Sequence, residues 1–319
     1  MIPSPNRQVT QVSRKRWERV LTATIMVAVL VTVVWVAAAN WDAYRTLVQS
    51  LNPVHLLGAL AAGLIGQFLN VVIAHISLRG EGAQLSLAST YRLITVGGLA
   101  KYIPGSVWQI GSQAGLGRAA GLNFRHSMLA WIEPTVFNIT VGSGFALLAA
   151  TQVEYGLPDL FLIPVGLLAL IASMNPFRYA VYRLVRLIPR NNPGPRIRTG
   201  WPQQFLLTAA IIALTGAGGM LVVSAFELES SIGFTGSVVA FVGAWVVGFL
   251  AFPIPGGIGV REGALVLALA PWIPAHEAVL IAAASRLVAI TGELVSGLAG
   301  MSVGLRAKPI SARDPNIES

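Results

Sequence analysis

Six long apolar runs and two interrupted ones dominate the pattern of hydrophobic and polar residues along this chain. A membrane-spanning helix needs about 20 predominantly apolar residues. The six runs that we interpret as full spans are 20–39, 54–78, 127–152, 158–174, 202–226 and 277–304. Two further apolar stretches, 87–122 and 232–271, are each broken in the middle by proline and glycine. Each piece is too short to cross a hydrocarbon core of about 30 Å at about 1.5 Å per residue, so we predict two re-entrant hairpins of half-helices.

The composition also indicates a membrane protein. Hydrophobic residues make up 55% of the chain and charged residues only 11%, whereas soluble domains carry about 25% charged residues. The chain has no cysteine, which excludes disulfides, Cys-ligated zinc and iron–sulfur clusters. The four histidines are scattered along the chain, so we expect no metal site and no cofactor.

The positions of the basic residues predict how the spans are oriented. If the N-terminus is cytoplasmic and each hairpin returns to its own side, 18 Lys and Arg residues lie in cytoplasmic segments and one, Arg45, lies outside. Cytoplasmic loops collect Lys and Arg. We therefore predict a cytoplasmic basic tail (1–19), a single membrane domain (20–304) and a cytoplasmic C-terminal tail (305–319), in the cytoplasmic membrane of the cell. The basic excess then reflects topology, and nucleic acid is not an expected partner.

The two interruptions carry the same short motif. Residues 99–105 and 250–256 share the pattern L-A-x-x-I-P-G, 151 positions apart. The first hairpin would enter from the cytoplasm and the second from outside, so the halves 20–152 and 158–304 would have opposite orientations. The sequence therefore predicts an all-α polytopic fold with an inverted-topology repeat. Paired interrupted helices in corresponding positions mark the binding site of many transporters, near the bilayer midplane.

Each interruption is followed by a predicted helix start. Ser106 and Gln109 have the spacing of a capping box, and a glycine stands three residues before Glu262. Helix N-termini present unpaired N–H groups and the positive end of the helix dipole, which suit an anion such as phosphate. We predict a phosphate site at both starts that includes the glycines of the second break: Gly256, Gly257 and Gly259. The alternative is that proline and glycine only permit tight hairpins.

Ionisable residues at membrane depth are candidates for function because each costs about 2.5–3.5 kcal/mol to insert. The candidates here are Lys101, Glu133, Arg261, Glu262, Arg286 and Glu293. A guanidinium at the start of a half-helix, as at Arg261, can bind phosphate oxygens in a bidentate manner. Glu262 would neutralise Arg286 or bind a coupling proton, and the alternative is an ion pair that only fixes the hairpin.

The remaining candidates have more local interpretations. Arg286 and Glu293 are seven residues apart, so with the following glycines they form a stripe that we expect to face the bundle interior: Gly297, Gly300 and Gly304. Lys101 is a second phosphate ligand or a side chain that reaches to the surface. Glu133 is a binding residue or an interfacial residue beside a kink. The tryptophans are expected to be interfacial or packing residues rather than sugar-stacking ones: Trp108, Trp131 and Trp245.

The run P-G-G-x-G-x-R-E-G at 255–263, followed by Arg286, resembles the lysylphosphatidylglycerol synthase transmembrane family. This family includes the flippase-like domain of bifunctional aminoacyl-phosphatidylglycerol synthases. The resemblance implies a two-hairpin helical fold that carries a lipid across the membrane. Arg261 and Glu262 match the motif directly, and Arg286 matches by its place in the last span. The first hairpin lacks the acidic residue that members often have, which leaves the head group open.

We therefore expect a flippase for a phosphate-bearing lipid, not an enzyme. The resemblance implies an aminoacylated phospholipid or a polyprenyl-phosphate-linked sugar as cargo. It leaves room for a separate lipid-modifying enzyme or glycosyltransferase as a partner. Two alternatives remain open. One is a membrane-embedded lipid-modifying enzyme that uses Glu133, Glu262 and Glu293 as acid or base, and the other is a secondary transporter of small anions or sugars.

Overall fold

All the regular elements that the structure describes are helices. The computed structural model describes residues 51–80, 82–83, 85–102, 107–155, 201–226, 228, 232–251 and 257–303. In chain order the helices are α1 (Pro53–Gly80), α2 (Leu87–Leu99), α3 (Val107–Ala119), α4 (Phe124–Tyr155), α5 (Trp201–Ser224), α6 (Phe234–Leu250), α7 (Val260–Leu269) and α8 (Ala275–Ser302). The predicted spans 20–39 and 158–174 lie outside the described residues.

Four of these helices, α1, α4, α5 and α8, are long and apolar enough to cross a membrane. They coincide with four of the runs that the hydrophobic pattern predicts. Large apolar side chains on these helices point away from the protein, and Leu147, Leu206 and Leu287 are each 67–68% exposed. Such surfaces are favourable against lipid and unfavourable in water. The part of the chain that the structure describes is all-helical, and the protein is a multi-pass membrane protein.

Each of the two interrupted stretches contains two helices, one on either side of residues 103–106 and 252–256, which lie outside the described residues. α2 and α3 have 13 residues each, a length of about 20 Å. A 3-10 turn, Ala100–Tyr102, extends α2 toward the first break. α6 contains a turn of π-helix at Val238–Val242, and α7 has 10 residues. α2 packs against α3, and α6 packs against α7.

The helix packing brings distant parts of the chain together. α1 packs along α5, α4 contacts both α3 and α6, and α8 contacts both α7 and α2. Glycines allow α8 to approach α2 closely: a Cβ added to Gly297 would lie 2.5 Å from Leu99 Cδ1, and one added to Gly300 would overlap Thr95. Both glycines are buried. The prediction that this stripe of α8 faces the bundle interior is confirmed for them, and Gly304 lies outside the described residues.

Glycines also set the approach of α6 to the start of α7. Gly257 and Gly259 have φ values of +64° and +84°, in the left-handed region that other residues rarely adopt. A Cβ on Gly257 would lie 2.5 Å from the carbonyl oxygen of Gly248. A Cβ on Gly248 would lie 2.6 Å from Cβ and 3.2 Å from Cα of Arg261. The position of Arg261 therefore depends on backbone contact between the two helices.

Replacing Gly248 by alanine should separate α6 from α7. The new Cβ meets backbone as well as side-chain atoms of Arg261, so we expect a loss of about 1–3 kcal/mol of stability from overpacking. Gly243→Ala is the matched control, because a Cβ at Gly243 has no neighbour within 4 Å. The control should be neutral or slightly stabilising. Thermal unfolding of the purified variants in detergent measures the difference, and equal Tm values for the two variants would contradict the close approach.

Candidate functional site

A cavity of about 380 Å³ lies at the centre of the helical bundle. Every helix from α1 to α8 contributes at least one residue to its wall. The volume falls within the range of about 300–1,000 Å³ that small-molecule and cofactor sites occupy. The wall is mostly apolar, with a small number of charged and polar side chains that come from different helices. This distribution is typical of a binding site and makes the cavity the candidate functional site of the protein.

Three charged side chains lie in the cavity wall: Lys101, Arg261 and Glu293. The Lys101 ammonium donates to Glu293 Oε1 at 2.6 Å, and the Tyr102 hydroxyl donates to Glu293 Oε2 at 2.5 Å. Both oxygens of the carboxylate are therefore engaged. The interaction connects the turn after α2 to the middle of α8 across 192 positions of sequence. Tyr102 was not among the residues selected from the sequence, although it directly precedes the first break.

Arg261 differs from its charged neighbours because its guanidinium is not committed to a partner. Within the part of the chain that the structure describes, it makes no hydrogen bond and no ion pair. It is half-buried and interacts electrostatically with Arg286, Glu262 and Glu293. A guanidinium has five N–H donors in a planar fork. Arg261 therefore offers the cavity a cation whose donors can bind an anion.

Glu262 and Arg286 form the ion pair that the sequence predicts, beside the cavity rather than in its wall. Glu262 Oε1 lies 3.4 Å from Arg286 Nε, a contact without a hydrogen bond. Glu262 Oε2 accepts a hydrogen bond of 2.6 Å from the backbone N–H of Gly259. This hydrogen bond is one half of a capping box. The other half needs a side-chain acceptor at the N-cap position, and Gly259 has no side chain. The carboxylate holds both the start of α7 and the middle of α8.

Neutral polar groups also line the cavity wall. Gln113 is 0% exposed, and neither polar atom of its side chain has a hydrogen-bond partner among the described residues. Asn138 donates to Asn70 Oδ1 at 2.5 Å, and the buried Oδ1 of Asn138 is unpartnered within the described helices. Trp131 and Trp245 also lie in the wall. These two tryptophans therefore line the cavity, whereas the sequence pattern favours an interfacial or packing role for them.

Glu133 does not join the other candidates. It lies in a separate buried cluster, where the side-chain amide of Gln204 donates to Ser77 Oγ at 3.0 Å and to Glu133 Oε1 at 3.4 Å. None of these three residues lines the cavity. The described residues also contain no group of three or more histidine, aspartate or glutamate side chains that could hold a metal ion.

The remaining predicted site residues belong to the breaks. Gly257 and Gly259 lie at the entrance to α7, where the positive φ of both residues and the close approach of Gly257 to Gly248 require glycine. Gln109 is in α3, and its side chain is not part of the described structure. Ser106 and Gly256 are outside the described residues. The structure thus gathers Lys101, Arg261 and Glu293 at one cavity, with the Glu262–Arg286 pair beside it.

Comparison with known proteins gives one result. The model of a protein family described as the lysylphosphatidylglycerol synthase TM region matches residues 21–297. The match covers most of the chain, including every charged residue discussed above. No curated protein matches this chain.

The contact between Lys101 and Glu293 should contribute to stability as a coupled pair. Lys101→Met or Glu293→Gln leaves the other charge without its partner, and we expect each to cost about 1–3 kcal/mol. This is below the roughly 3–5 kcal/mol seen for fully buried pairs, because the two side chains are 30% and 24% exposed. The double variant should be more stable than the sum of the single losses predicts, by about 0.5–3 kcal/mol.

Unfolding in detergent of the wild type, both single variants and the double variant measures this coupling. Arg118→Met is a suitable control, because Arg118 is exposed on α3 and should change stability by less than about 0.5 kcal/mol. Strict additivity of the two single losses would contradict the coupling.

Proposed function

We propose that this chain, which belongs to the lysylphosphatidylglycerol synthase TM-region family over residues 21–297, is a flippase. In this proposal it moves a phosphate-bearing lipid across the cytoplasmic membrane and needs no cofactor. The family relates the chain to lipid handling at the membrane. The single observation that carries the proposal is the uncommitted guanidinium of Arg261 in the wall of a central cavity in the helical bundle.

Arg261 is the primary phosphate ligand in this proposal. Its planar fork matches two phosphate oxygens, and charge-assisted hydrogen bonds are roughly twice as strong as neutral ones. Lys101 lies in the same wall and has ammonium protons beyond the one it donates to Glu293, so it can add a second contact. The apolar lipid tail remains in the bilayer, where it needs no polar partner. The cavity therefore has to accommodate only the head group.

The Glu262–Arg286 pair supplies an adjustable counter-charge in this mechanism. Arg286 lies within electrostatic range of Arg261, so an incoming phosphate attracts both guanidinium groups. As Arg286 shifts toward the phosphate, Glu262 loses part of the positive charge that compensates its carboxylate. The hydrogen bond from Gly259 keeps Glu262 in place at the start of α7. This arrangement would link lipid entry to the position of the second hairpin.

We further propose that the fold is an inverted repeat of six full spans and two re-entrant hairpins. Under this proposal α1, α2, α3 and α4 correspond to α5, α6, α7 and α8. The helix contacts support that correspondence: α1 packs on its counterpart α5, α4 packs on α6, and α8 packs on α2. The proposed correspondence turns the contact of α4 with α6 into the contact of α8 with α2, as a two-fold axis in the membrane plane requires. Movement of one half against the other would expose the cavity to each side in turn.

Transport is a better proposal for this site than catalysis. General acid–base chemistry on a lipid needs carboxylates that can exchange protons with a bound substrate. Glu293 is engaged by Lys101 and Tyr102, Glu262 holds a helix start, and Glu133 lies in a separate cluster. The three carboxylates do not form a common acid–base site.

Replacing Arg261 by lysine should slow lipid transport while the fold persists. Lysine keeps the charge and the aliphatic stem that contacts Gly248 but loses the bidentate geometry. The loss of one charge-assisted hydrogen bond corresponds to about 1.5–3 kcal/mol, or roughly 10–100-fold in rate. The rate is measured as chemical bleaching of a fluorescent phosphatidylglycerol in vesicles that contain the purified protein. Arg118→Lys is the control and should transport at the wild-type rate, whereas a wild-type rate for Arg261→Lys would refute the phosphate site.

Single cysteines placed at exposed hairpin ends should be labelled from opposite sides of the membrane. The protein has no native cysteine, so Asn123→Cys and Ala275→Cys each introduce one thiol. Under the re-entrant topology, a membrane-impermeant maleimide labels Asn123→Cys only from the cytoplasm and Ala275→Cys only from outside. Labelling of both positions from the same side would contradict the inverted repeat, because the two positions follow corresponding hairpins.

A further inference from the structure

We propose that the cavity has a second, uncharged subsite, formed by Gln113, Asn138 and Trp131, for a neutral head group that carries hydroxyl groups. This inference rests on the proposed function, since the head group is attached to the phosphate that Arg261 binds. It specifies the cargo as a lipid phosphate with a sugar-like head group. It also implies that a head group carrying an ammonium is disfavoured.

The unpartnered amide of Gln113 is the main observation. The side chain is completely buried, lines the cavity and makes no hydrogen bond through either polar atom within the described residues. Gly97 of α2 leaves room for it, because a Cβ at Gly97 would lie 2.7 Å from Gln113 Nε2. A buried amide without a partner destabilises a folded protein. A ligand with hydroxyl groups would satisfy it, since a hydroxyl both donates and accepts.

Asn138 and two aromatic side chains add further uncharged groups to the cavity wall. The Asn138 amide nitrogen donates a hydrogen bond to Asn70. The carbonyl oxygen of the Asn138 side chain has no partner among the described residues, so it can accept a hydrogen bond from a ligand. Trp131 lies on α4 two turns before Asn138, and Trp245 enters the wall from α6. Indole rings provide apolar surface together with one N–H donor. A cavity wall that contains both amide groups and an indole ring suits a sugar, which combines C–H faces with hydroxyl edges.

The charges in the wall argue against a cationic head group. Among the described residues that line the cavity, Glu293 is the acidic one, and both of its carboxylate oxygens are engaged by Lys101 and Tyr102. An ammonium in the cavity would lie near Arg261 and Lys101 without an uncommitted carboxylate. Repulsion between like charges is an effective way to reject a competing ligand. The cavity therefore favours a neutral head group over an aminoacyl one.

Two matched pairs of lipids test this inference on the purified full-length protein in detergent. The first pair is geranylgeranyl phosphate with and without one neutral hexose on the phosphate, compared at about pH 5, where the monoester and the diester each carry close to one negative charge. The second pair is lysyl-phosphatidylglycerol and phosphatidylglycerol. For the wild type we expect the hexose to lower Kd about tenfold, the effect of one or two hydrogen bonds. The lysyl group should raise Kd or leave it unchanged.

Gln113→Met should remove the gain from the hexose and leave the Kd of geranylgeranyl phosphate within about twofold. It should also raise the Tm of the ligand-free protein, because an unsatisfied amide is replaced by an apolar side chain of similar shape. The rise in Tm shows that the variant is folded. Gln203→Met is the matched control, because Gln203 is an exposed glutamine on α5, and it should keep the wild-type gain from the hexose.

The outcomes separate this inference from the proposed function. Binding of geranylgeranyl phosphate without any gain from the hexose would overturn the subsite and leave the flippase proposal standing. Tighter binding of lysyl-phosphatidylglycerol than of phosphatidylglycerol would do the same. A retained hexose gain in Gln113→Met would remove Gln113 from the subsite and overturn the inference as stated. Failure to bind any of the four lipids would overturn the phosphate site and the inference together.

Discussion

The cost of placing charges inside a membrane protein is the constraint on which this structure depends. Glu293 is in the middle of an apolar span, where an isolated carboxylate would be expensive. Lys101 and Tyr102 neutralise and hydrogen-bond it from the turn that ends α2. The same contact holds α2 against α8, where Gly297 allows close approach. One interaction therefore stabilises a buried charge and joins the first hairpin to the last helix.

Because Glu293 is satisfied by Lys101 and Tyr102, it is not available to pair with Arg261. Glu262, the nearest acidic residue in sequence, is also engaged, by the N–H of Gly259 and by Arg286. Close contact between Gly248 and the backbone of Arg261 fixes where α7 starts. Within the described residues, the guanidinium is thus kept at the cavity wall by packing rather than by an ion pair. A residue held in this way can bind an anion without first breaking an ion pair within the protein, which reduces the free-energy cost of binding.

The sequence predicted the elements of this fold better than the contacts between them. Long apolar runs and the I-P-G breaks predicted four described spans and both interrupted stretches, because periodicity and breakers are local signals. The ion pair of Glu262 with Arg286 was also predicted. The partner of Glu293 was not, since Lys101 is 192 positions away and a pattern gives the face of a helix but not its neighbour. For the same reason Glu133 was grouped with the site, although it lies in the separate cluster that contains Gln204.

Neutral polar residues were the hardest part of the site to predict. A charge in an apolar run is conspicuous because of its cost, whereas glutamine or asparagine at the same depth is tolerated more often. Gln113 stands out only when the structure shows that it is buried and that neither of its polar atoms has a partner among the described residues, and Asn138 only through its buried, unpartnered Oδ1. Such groups lower stability, so their presence in the wall of a cavity indicates a trade of stability for binding. The Arg261 guanidinium and the Gln113 amide therefore have one property in common. Each is a polar group for which the described part of the protein supplies no hydrogen-bond partner.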